Sequence, residues 1–205
     1  MSTPVQSDPI ADLYRATRTP RLLVVPAMRF LTVDGQGDPE TSEAYAGAVQ
    51  ALFAVSYAAK FALRKAGGED FRVGPLEGLW WAADLGAFAT GTRSQWQWRM
   101  MIHQPDELDA ELVDRLTEQV AAKKELPAAR GLRLTTFEEG PAAQVLHVGP
   151  YATEQPTIER LHAFVHEQGL TLTGHHHEIY LGDPRRAAPE RLRTIIRQPC
   201  TELPG

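Results

Sequence analysis

The chain repeats one order of elements, and this repetition is the strongest constraint on its fold. A strand, a helix and two further strands are predicted in each half, over about residues 22–125 and 130–199. The two copies predict an α+β fold of pseudo-twofold modules. They would share a saddle-like antiparallel sheet, with helices on one side and a ligand groove between the modules. Residues 1–21 are predicted to be an N-terminal arm and residues 22–205 the domain.

Capping residues and hydrophobic periodicity predict three helices, over residues 38–66, 105–124 and 153–168. Gly67 supplies the left-handed stop of the first helix. Along that helix every fourth residue from Val49 to Phe61 is apolar or aromatic, and the ridge includes Phe53 and Tyr57. A tyrosine in such a ridge is more often a core residue with its hydroxyl at the rim than a catalytic residue.

The stretch Gly174–Pro184 predicts a strand that ends in turn residues. Because side chains alternate along a strand, His176, Glu178 and Tyr180 share one face and Ile179 lies on the other, apolar face. Glu178 would then lie beside an aromatic ring, where its carboxylate meets a ligand. An exposed glutamate on a solvated face is an equally good interpretation.

Composition and charge exclude several classes of protein. The 205 residues are 43% hydrophobic and 23% charged, which is typical of a globular domain. A net charge of −5 favours neutral or cationic small molecules and disfavours nucleic acid. Without an apolar run of membrane-spanning length or a signal peptide, no membrane association is predicted and a cytoplasmic location is expected. The single cysteine, Cys200, is interpreted as structural.

Other kinds of site are not supported by the sequence. The cluster His175–Glu178 places only two potential ligands on each strand face, whereas a closed metal site needs about four. No Gly-x-Ser-x-Gly turn or phosphate-binding glycine pattern is present. Neither a metal nor an organic cofactor is therefore predicted.

Several motifs together resemble the stand-alone GyrI-like small-molecule-binding family, which is related to the ligand-sensing domains of multidrug-responsive transcription activators. The motifs are Leu76-Glu77-Gly78-Leu79-Trp80-Trp81, Trp98-Arg99-Met100-Met101-Ile102-His103-Gln104-Pro105, His147-Val148-Gly149-Pro150-Tyr151 with Glu154, and Glu178-Ile179-Tyr180-Leu181-Gly182-Asp183-Pro184. The resemblance covers most of the chain after Leu22. It implies the two-module fold, with an aromatic-lined groove that contains one acidic residue.

The resemblance also implies site residues. The strand glutamate that meets planar cationic drugs in the sensor domains corresponds to Glu178. Some stand-alone members are similar to cyclopropanoid hydrolases, which open strained rings and act on some epoxides. By this resemblance, their catalytic pair corresponds to Glu178 and, on the basis of helix position alone, to Tyr57. Desolvation is expected to raise the pKa of Glu178. The candidate ligand-binding residues are Trp80, Trp81, Trp98, Tyr180, Phe53 and His176.

Three functions therefore stay open from the sequence. In the first, the protein hydrolyses cyclopropanoids or epoxides with Glu178 activating water. In the second, it binds bulky apolar or cationic molecules without a chemical reaction. In the third, it contacts a protein, as gyrase-inhibiting relatives are thought to do. The natural ligand and the oligomeric state are not predicted.

Overall fold

A computed structural model describes residues 9–68, 70–82 and 93–202, so residues 1–8 of the expected arm lie outside it. The chain divides into two compact units. The split unit combines Met1–Val25 with Glu139–Gly205, and the continuous unit is Pro26–Glu138. Each unit contains an antiparallel sheet and helices, which confirms the predicted α+β class.

The described helices are α1 Pro9–Leu13, α2 Glu43–Lys65, α3 Ala110–Lys123 and α4 Gln155–Glu167. The described strands are β1 Arg21–Val25, β2 Met28–Gln36, β3 Leu76–Trp81, β4 Gln97–His103, β5 Arg133–Phe137, β6 Gly140–Val148, β7 Leu170–Leu172, β8 His176–Tyr180 and β9 Arg193–Glu202.

In the continuous unit the strands pair in the order β3, β4, β2, β5. Helix α2 packs on β2 and β4, and α3 packs on α2 and β5. Ser56, a polar residue on the buried side of α2, is satisfied because its Oγ accepts a hydrogen bond from Gln104 Nε2 at 2.9 Å. The core of this unit therefore lies between its sheet and its two helices.

Both long helices of the continuous unit begin later than predicted. Asp38 forms a turn, in which its Oδ1 accepts from Glu40 N at 2.9 Å, and Ser42 caps α2 by accepting from Tyr45 N at 3.2 Å. Asp109 likewise caps α3, accepting from Leu112 N at 2.6 Å. The predicted starts at residues 38 and 105 were wrong because turn and cap residues share the same side-chain chemistry.

The ridge of α2 that contains Tyr57 faces outward, contrary to the expectation of a core residue. Tyr57 and Phe61 are 49% and 54% exposed, because the small side chains of the opposite face allow α2 to approach the sheet. Among the described residues, α2 is the one helix with the length and apolar character of a membrane span. Core helices of globular domains also have these properties.

Trp98 packs over a glycine on the neighbouring strand. It is 1% exposed, and Gly35 is its cross-strand partner. A Cβ added at Gly35 would overlap the Trp98 ring. The absence of a side chain on β2 thus creates the space for the indole on β4.

In the split unit the strands pair in the order β1, β6, β9, β8, and β7 joins the other end of β9. Helix α4 covers one sheet face, where its residues Leu161 and Val165 enter the core. Tyr14 and Ala16 of the N-terminal segment pack on the other face, against a core that contains Ile179. Both faces of this sheet are therefore covered, and Cys200 is buried on the α4 face.

A buried charged network lies on the sheet face that the N-terminal segment covers. Glu139 Oε1 accepts from His177 Nδ1 at 2.9 Å, and Oε2 accepts from Arg197 Nη1 at 3.2 Å. Arg197 also donates to Gln144 Oε1 and, at 2.7 Å, to the carbonyl oxygen of Leu13. Burial raises the pKa of Glu139, but His177 and Arg197 together bring it below its ordinary value. The network joins the strands to the N-terminal segment.

Replacing Gly35 by alanine should lower the free energy of unfolding by about 1–3 kcal/mol, because the new Cβ forces Trp98 out of its position. Urea denaturation with tryptophan fluorescence measures the effect. Gly182→Ala is the matched control, since no atom lies within 4 Å of its added Cβ. Equal stability of the two variants would contradict the packing argument.

Arg197→Ala should destabilise the protein by about 3–5 kcal/mol, because it leaves the buried Glu139 carboxylate without its guanidinium partner. Arg185→Ala is the control. It breaks an ion pair with Asp183 in which the arginine side chain is 84% exposed, and it should leave the denaturation midpoint nearly unchanged. Similar midpoints for both variants would show that the buried network is not stabilising.

Candidate functional site

The register of β8 on β9 places Glu178 on the face that α4 covers. Glu178 is opposite Ile196, a core residue beneath α4, and Tyr180 is opposite Thr194. Thr194 is also opposite His147 on β6. Because directly opposed residues in an antiparallel pair share a face, all five side chains lie on the same side of the sheet.

The Glu178 carboxylate is held at both oxygens. His176 Nε2 lies 3.0 Å from Oε1, and the Tyr180 hydroxyl donates to Oε2 at 2.8 Å. The Glu178 side chain is 15% exposed. Burial raises the pKa of Glu178, but the hydrogen bonds with His176 and Tyr180 lower it below its ordinary value. The expected rise was wrong, and Glu178 is ionised at neutral pH.

A second carboxyl group, that of Glu154, lies close enough to Glu178 for each to shift the pKa of the other. Glu154 immediately precedes α4 and is 4% exposed. Burial and the charge of Glu178 raise the pKa of Glu154 to about 9, against a lowering effect of Thr194. The pKa values of the two carboxyl groups are therefore shifted in opposite directions, that of Glu154 upward and that of Glu178 downward.

Tyr151 provides a hydroxyl and an aromatic edge beside the carboxyl pair. Its ring lies 5.7 Å from that of Tyr180, at an interplanar angle of 79°. Burial and the charges of Glu154, Glu178 and Asp183 raise the pKa of Tyr151 to about 12. Its hydroxyl therefore stays protonated as a hydrogen-bond donor, and the side chain is 39% exposed to an approaching ligand.

His147 fixes the turn that presents Tyr151 and Glu154. Its Nδ1 lies 3.1 Å from Thr157 Oγ1, and its Nε2 lies 3.2 Å from the carbonyl oxygen of Pro150. These contacts join β6 to the short turn Tyr151–Thr153 and to the first turn of α4. The position of the second carboxyl group is thus set by the packing of α4 on the sheet.

The structure brings together three of the residues predicted for the site, namely His176, Glu178 and Tyr180. The other five lie in the continuous unit. Trp80 and Trp98 are buried around Tyr45, whose ring lies 6.0 Å and 5.3 Å from theirs.

Trp81 is half-buried on β3 and donates through Nε1 to Gln97 Oε1 at 2.7 Å. Phe53 is half-buried on α2. Tyr57 lines an open depression of about 230 Å³ between α2 and α3, together with Phe61, Lys123 and Lys124. The roles assigned to these five residues from the sequence stay predictions.

The sequence analysis did not assign Tyr151 and Glu154 to the site. Both residues belong to a motif that carried the family resemblance, the run that ends in Pro150-Tyr151 and Glu154. That motif was the signal in the sequence for these two residues. It did not indicate that they lie near Glu178, because Glu178 comes much later in the chain. In the described ranges no three His, Cys, Asp or Glu side chains are placed to hold a metal ion.

Comparison with known proteins identifies the family. The model of the GyrI-like small molecule binding domain matches residues 18–199. An uncharacterized conserved protein from Listeria innocua is 40% identical, with a TM-score of 0.84 over 93% of this chain and 96% of that chain. A protein described as a hydrolase, also from Listeria innocua, is 38% identical, with a TM-score of 0.82 over 94% of this chain and 96% of that chain.

A more distant structure, the EcmrR C-terminal domain, is similar in fold alone. It is 12% identical, with a TM-score of 0.57 over 90% of this chain and 98% of that chain. No curated protein matches the sequence. With the family model covering most of its length and two structures well above 30% identity, the chain belongs to the GyrI-like small-molecule-binding domain family.

Proposed function

We propose that the protein binds an electrophilic small molecule beside Glu178 and hydrolyses its strained ring without a cofactor. The observation that carries the proposal is the shielded Glu178 carboxylate, oriented by His176 and Tyr180. The small-molecule-binding family and the similarity to a protein described as a hydrolase support this class of reaction. The substrates would be epoxides, or cyclopropanes conjugated to a carbonyl group.

Glu178 is the general base of the proposed reaction. It is ionised, and its two donors fix its orientation while each oxygen keeps a lone pair for a water molecule. As the water oxygen bonds to the ring carbon, one water proton passes to Glu178. The ring bond breaks, and its electron pair moves to the epoxide oxygen or, through the conjugated system, to the carbonyl oxygen.

The charge that develops on the departing oxygen needs a hydrogen-bond donor. Tyr151 is suited to this role, because its ring packs against that of Tyr180 and its hydroxyl, whose pKa is raised to about 12, remains protonated. The family resemblance assigns the role to Tyr57 instead, on α2. The two tyrosines are alternatives that substitution can separate.

Binding without chemistry is the second candidate function. The ionised Glu178 carboxylate carries a negative charge in a shielded environment, and the exposed part of Tyr151 adds an aromatic surface. A planar or aryl-substituted cation would be attracted by both features. The same residues thus serve binding and hydrolysis, and the position of a water molecule distinguishes the two functions.

Glu178→Gln should reduce hydrolysis by about 10²–10⁴-fold, because the amide keeps the shape of the side chain but cannot accept the proton. Turnover of styrene oxide and of a cyclopropane-bearing dienone, followed by product chromatography, measures the effect. Glu190→Gln, an exposed glutamate in the same unit, is the matched control and should retain full activity. Unchanged turnover in Glu178→Gln would exclude the proposed base.

Substitution of Tyr151 and Tyr57 in turn should identify which hydroxyl donates a hydrogen bond to the departing oxygen. Tyr151→Phe is expected to lower kcat roughly a hundredfold with little change in KM, because its hydrogen bond strengthens as charge develops. Tyr57→Phe, on the exposed side of α2, should leave kcat unchanged. The reverse result would assign the donor to Tyr57. If wild-type protein converts the substrates no faster than buffer alone, binding without hydrolysis is left as the function.

A further inference from the structure

Helix α2 leaves much of its apolar surface uncovered within the described part of the chain. It is 23 residues long and has the apolar character of a membrane span, yet only 39% of its most apolar stretch is buried. Tyr57 and Phe61, one turn apart, are both about half exposed. Aromatic side chains grouped in this way on a surface are typical of an interaction site.

The outer face of α2 carries a regular stripe of residues, spaced three or four positions apart. This spacing forms one continuous ridge and is typical of helices that pack lengthwise against another helix. The central residue of the ridge is half-buried and all the others are exposed. The α2 stripe consists of Glu43, Ala46, Gln50, Phe53, Tyr57, Phe61 and Arg64.

The two ends of the α2 stripe have opposite charge. Glu43 lies in the first turn of α2 and Arg64 in the last, and neither forms an ion pair with another described residue. The Arg64 guanidinium lies 5.7 Å from the centroid of the Phe61 ring. Lys123 and Lys124 of α3 line the depression beside Phe61, also without an ion pair to a described residue. The C-terminal end of the stripe is therefore basic and its N-terminal end acidic.

The side chains of the two halves also complement each other in size and in hydrogen bonding. Counted outward from the centre of the stripe, the small Ala46 corresponds to the large Phe61, and the amide of Gln50 corresponds to the hydroxyl of Tyr57. Two copies of α2 that lie antiparallel about a twofold axis bring each of these residues opposite its counterpart. A parallel pair would instead bring Arg64 against Arg64, with repulsion between like charges.

We propose that the α2 stripe is the interface of a symmetric dimer, in which α2 packs antiparallel against α2 of a second copy of the chain. Phe53 lies beside the twofold axis, and Glu43 of each copy meets Arg64 of the other, so the contact occurs twice. The depression of about 230 Å³ beside Tyr57 and Phe61 receives side chains of the second copy. The inference is independent of the chemistry proposed at Glu178.

The size of the stripe determines how strong the dimer is. A helix of 23 residues is about 34 Å long and about 10 Å wide with its side chains. Its outer face is therefore smaller than the roughly 800 Å² that a standard interface buries on each partner. The dimer is expected to dissociate at low protein concentration.

The first test measures the mass of the wild-type protein in solution. Sedimentation velocity from low micromolar to submillimolar concentration should show a shift from the monomer to twice the monomer mass. No larger species should form, because a twofold interface is used up in the dimer. A monomer over the whole range overturns the inference, and so does continued growth beyond the dimer.

Phe61→Ser should weaken dimerisation by at least about tenfold, because it removes a ring that packs on Ala46 of the second copy. Val24→Ser is the matched control. Val24 is 70% exposed and belongs to the split unit, so its substitution should leave the dissociation constant unchanged. Both side chains are exposed, and circular dichroism verifies that both variants fold. Equal dissociation constants for the two variants overturn the inference.

Charge reversal tests the antiparallel arrangement. Glu43→Arg and Arg64→Glu, each alone, bring like charges together twice in the dimer and should weaken dimerisation by about tenfold or more. The double variant restores opposite charges and should dimerise within about threefold of wild type. Arg191→Glu, at an exposed arginine of the split unit, changes the net charge equally to Arg64→Glu and should have no effect.

The double variant distinguishes a second copy from other occupants of this face. Recovery of dimerisation is expected only when the α2 stripe packs on itself in antiparallel order. A parallel dimer gives no recovery in the double variant and overturns the inference. A face that binds another protein, an anionic ligand or a membrane leaves the wild-type protein monomeric by itself, which overturns it equally.

Discussion

The split unit has a sheet with two covered faces, and this constraint determines where its polar side chains can lie. Helix α4 covers one face and the N-terminal segment covers the other. Strand β8 nevertheless carries polar residues on both sides, so each must find its partners within the protein. A hydrogen-bonded cluster lies on each face, and adjacent residues of β8, His177 and Glu178, belong to different clusters.

The two clusters differ in how their charge is balanced. Glu139 has a guanidinium partner in Arg197, which compensates for the burial of both charges. Within the described part of the chain, Glu178 is hydrogen-bonded to no arginine or lysine, and its neighbour Glu154 is itself acidic. A compensated pair is typical of a structural element, whereas buried carboxyl groups with opposed pKa shifts are typical of functional sites. This difference in charge compensation supports a ligand site on the α4 face rather than on the face that the N-terminal segment covers.

Local patterns in the sequence explain which features of the fold and of the site could be predicted. The repeated order of elements predicted the fold, and the alternation of β8 predicted that His176, Glu178 and Tyr180 share a face. The raised pKa of Glu154 was not predictable, since it depends on how α4 packs on β6 and on β9, which follows later in the chain. The outward position of Tyr57 likewise follows from how closely the small-residue face of α2 approaches the sheet, which periodicity alone does not define.

The buried position of Cys200 matters for a protein that is proposed to handle alkylating rings. A thiolate is among the strongest nucleophiles in a protein, and an exposed one would capture such an electrophile irreversibly. Cys200 is the only cysteine, it is 2% exposed in the core beneath α4, and burial raises the pKa of its thiol. The fold therefore protects its own thiol from self-alkylation, a form of chemical tolerance that comes from packing rather than from the reactive site.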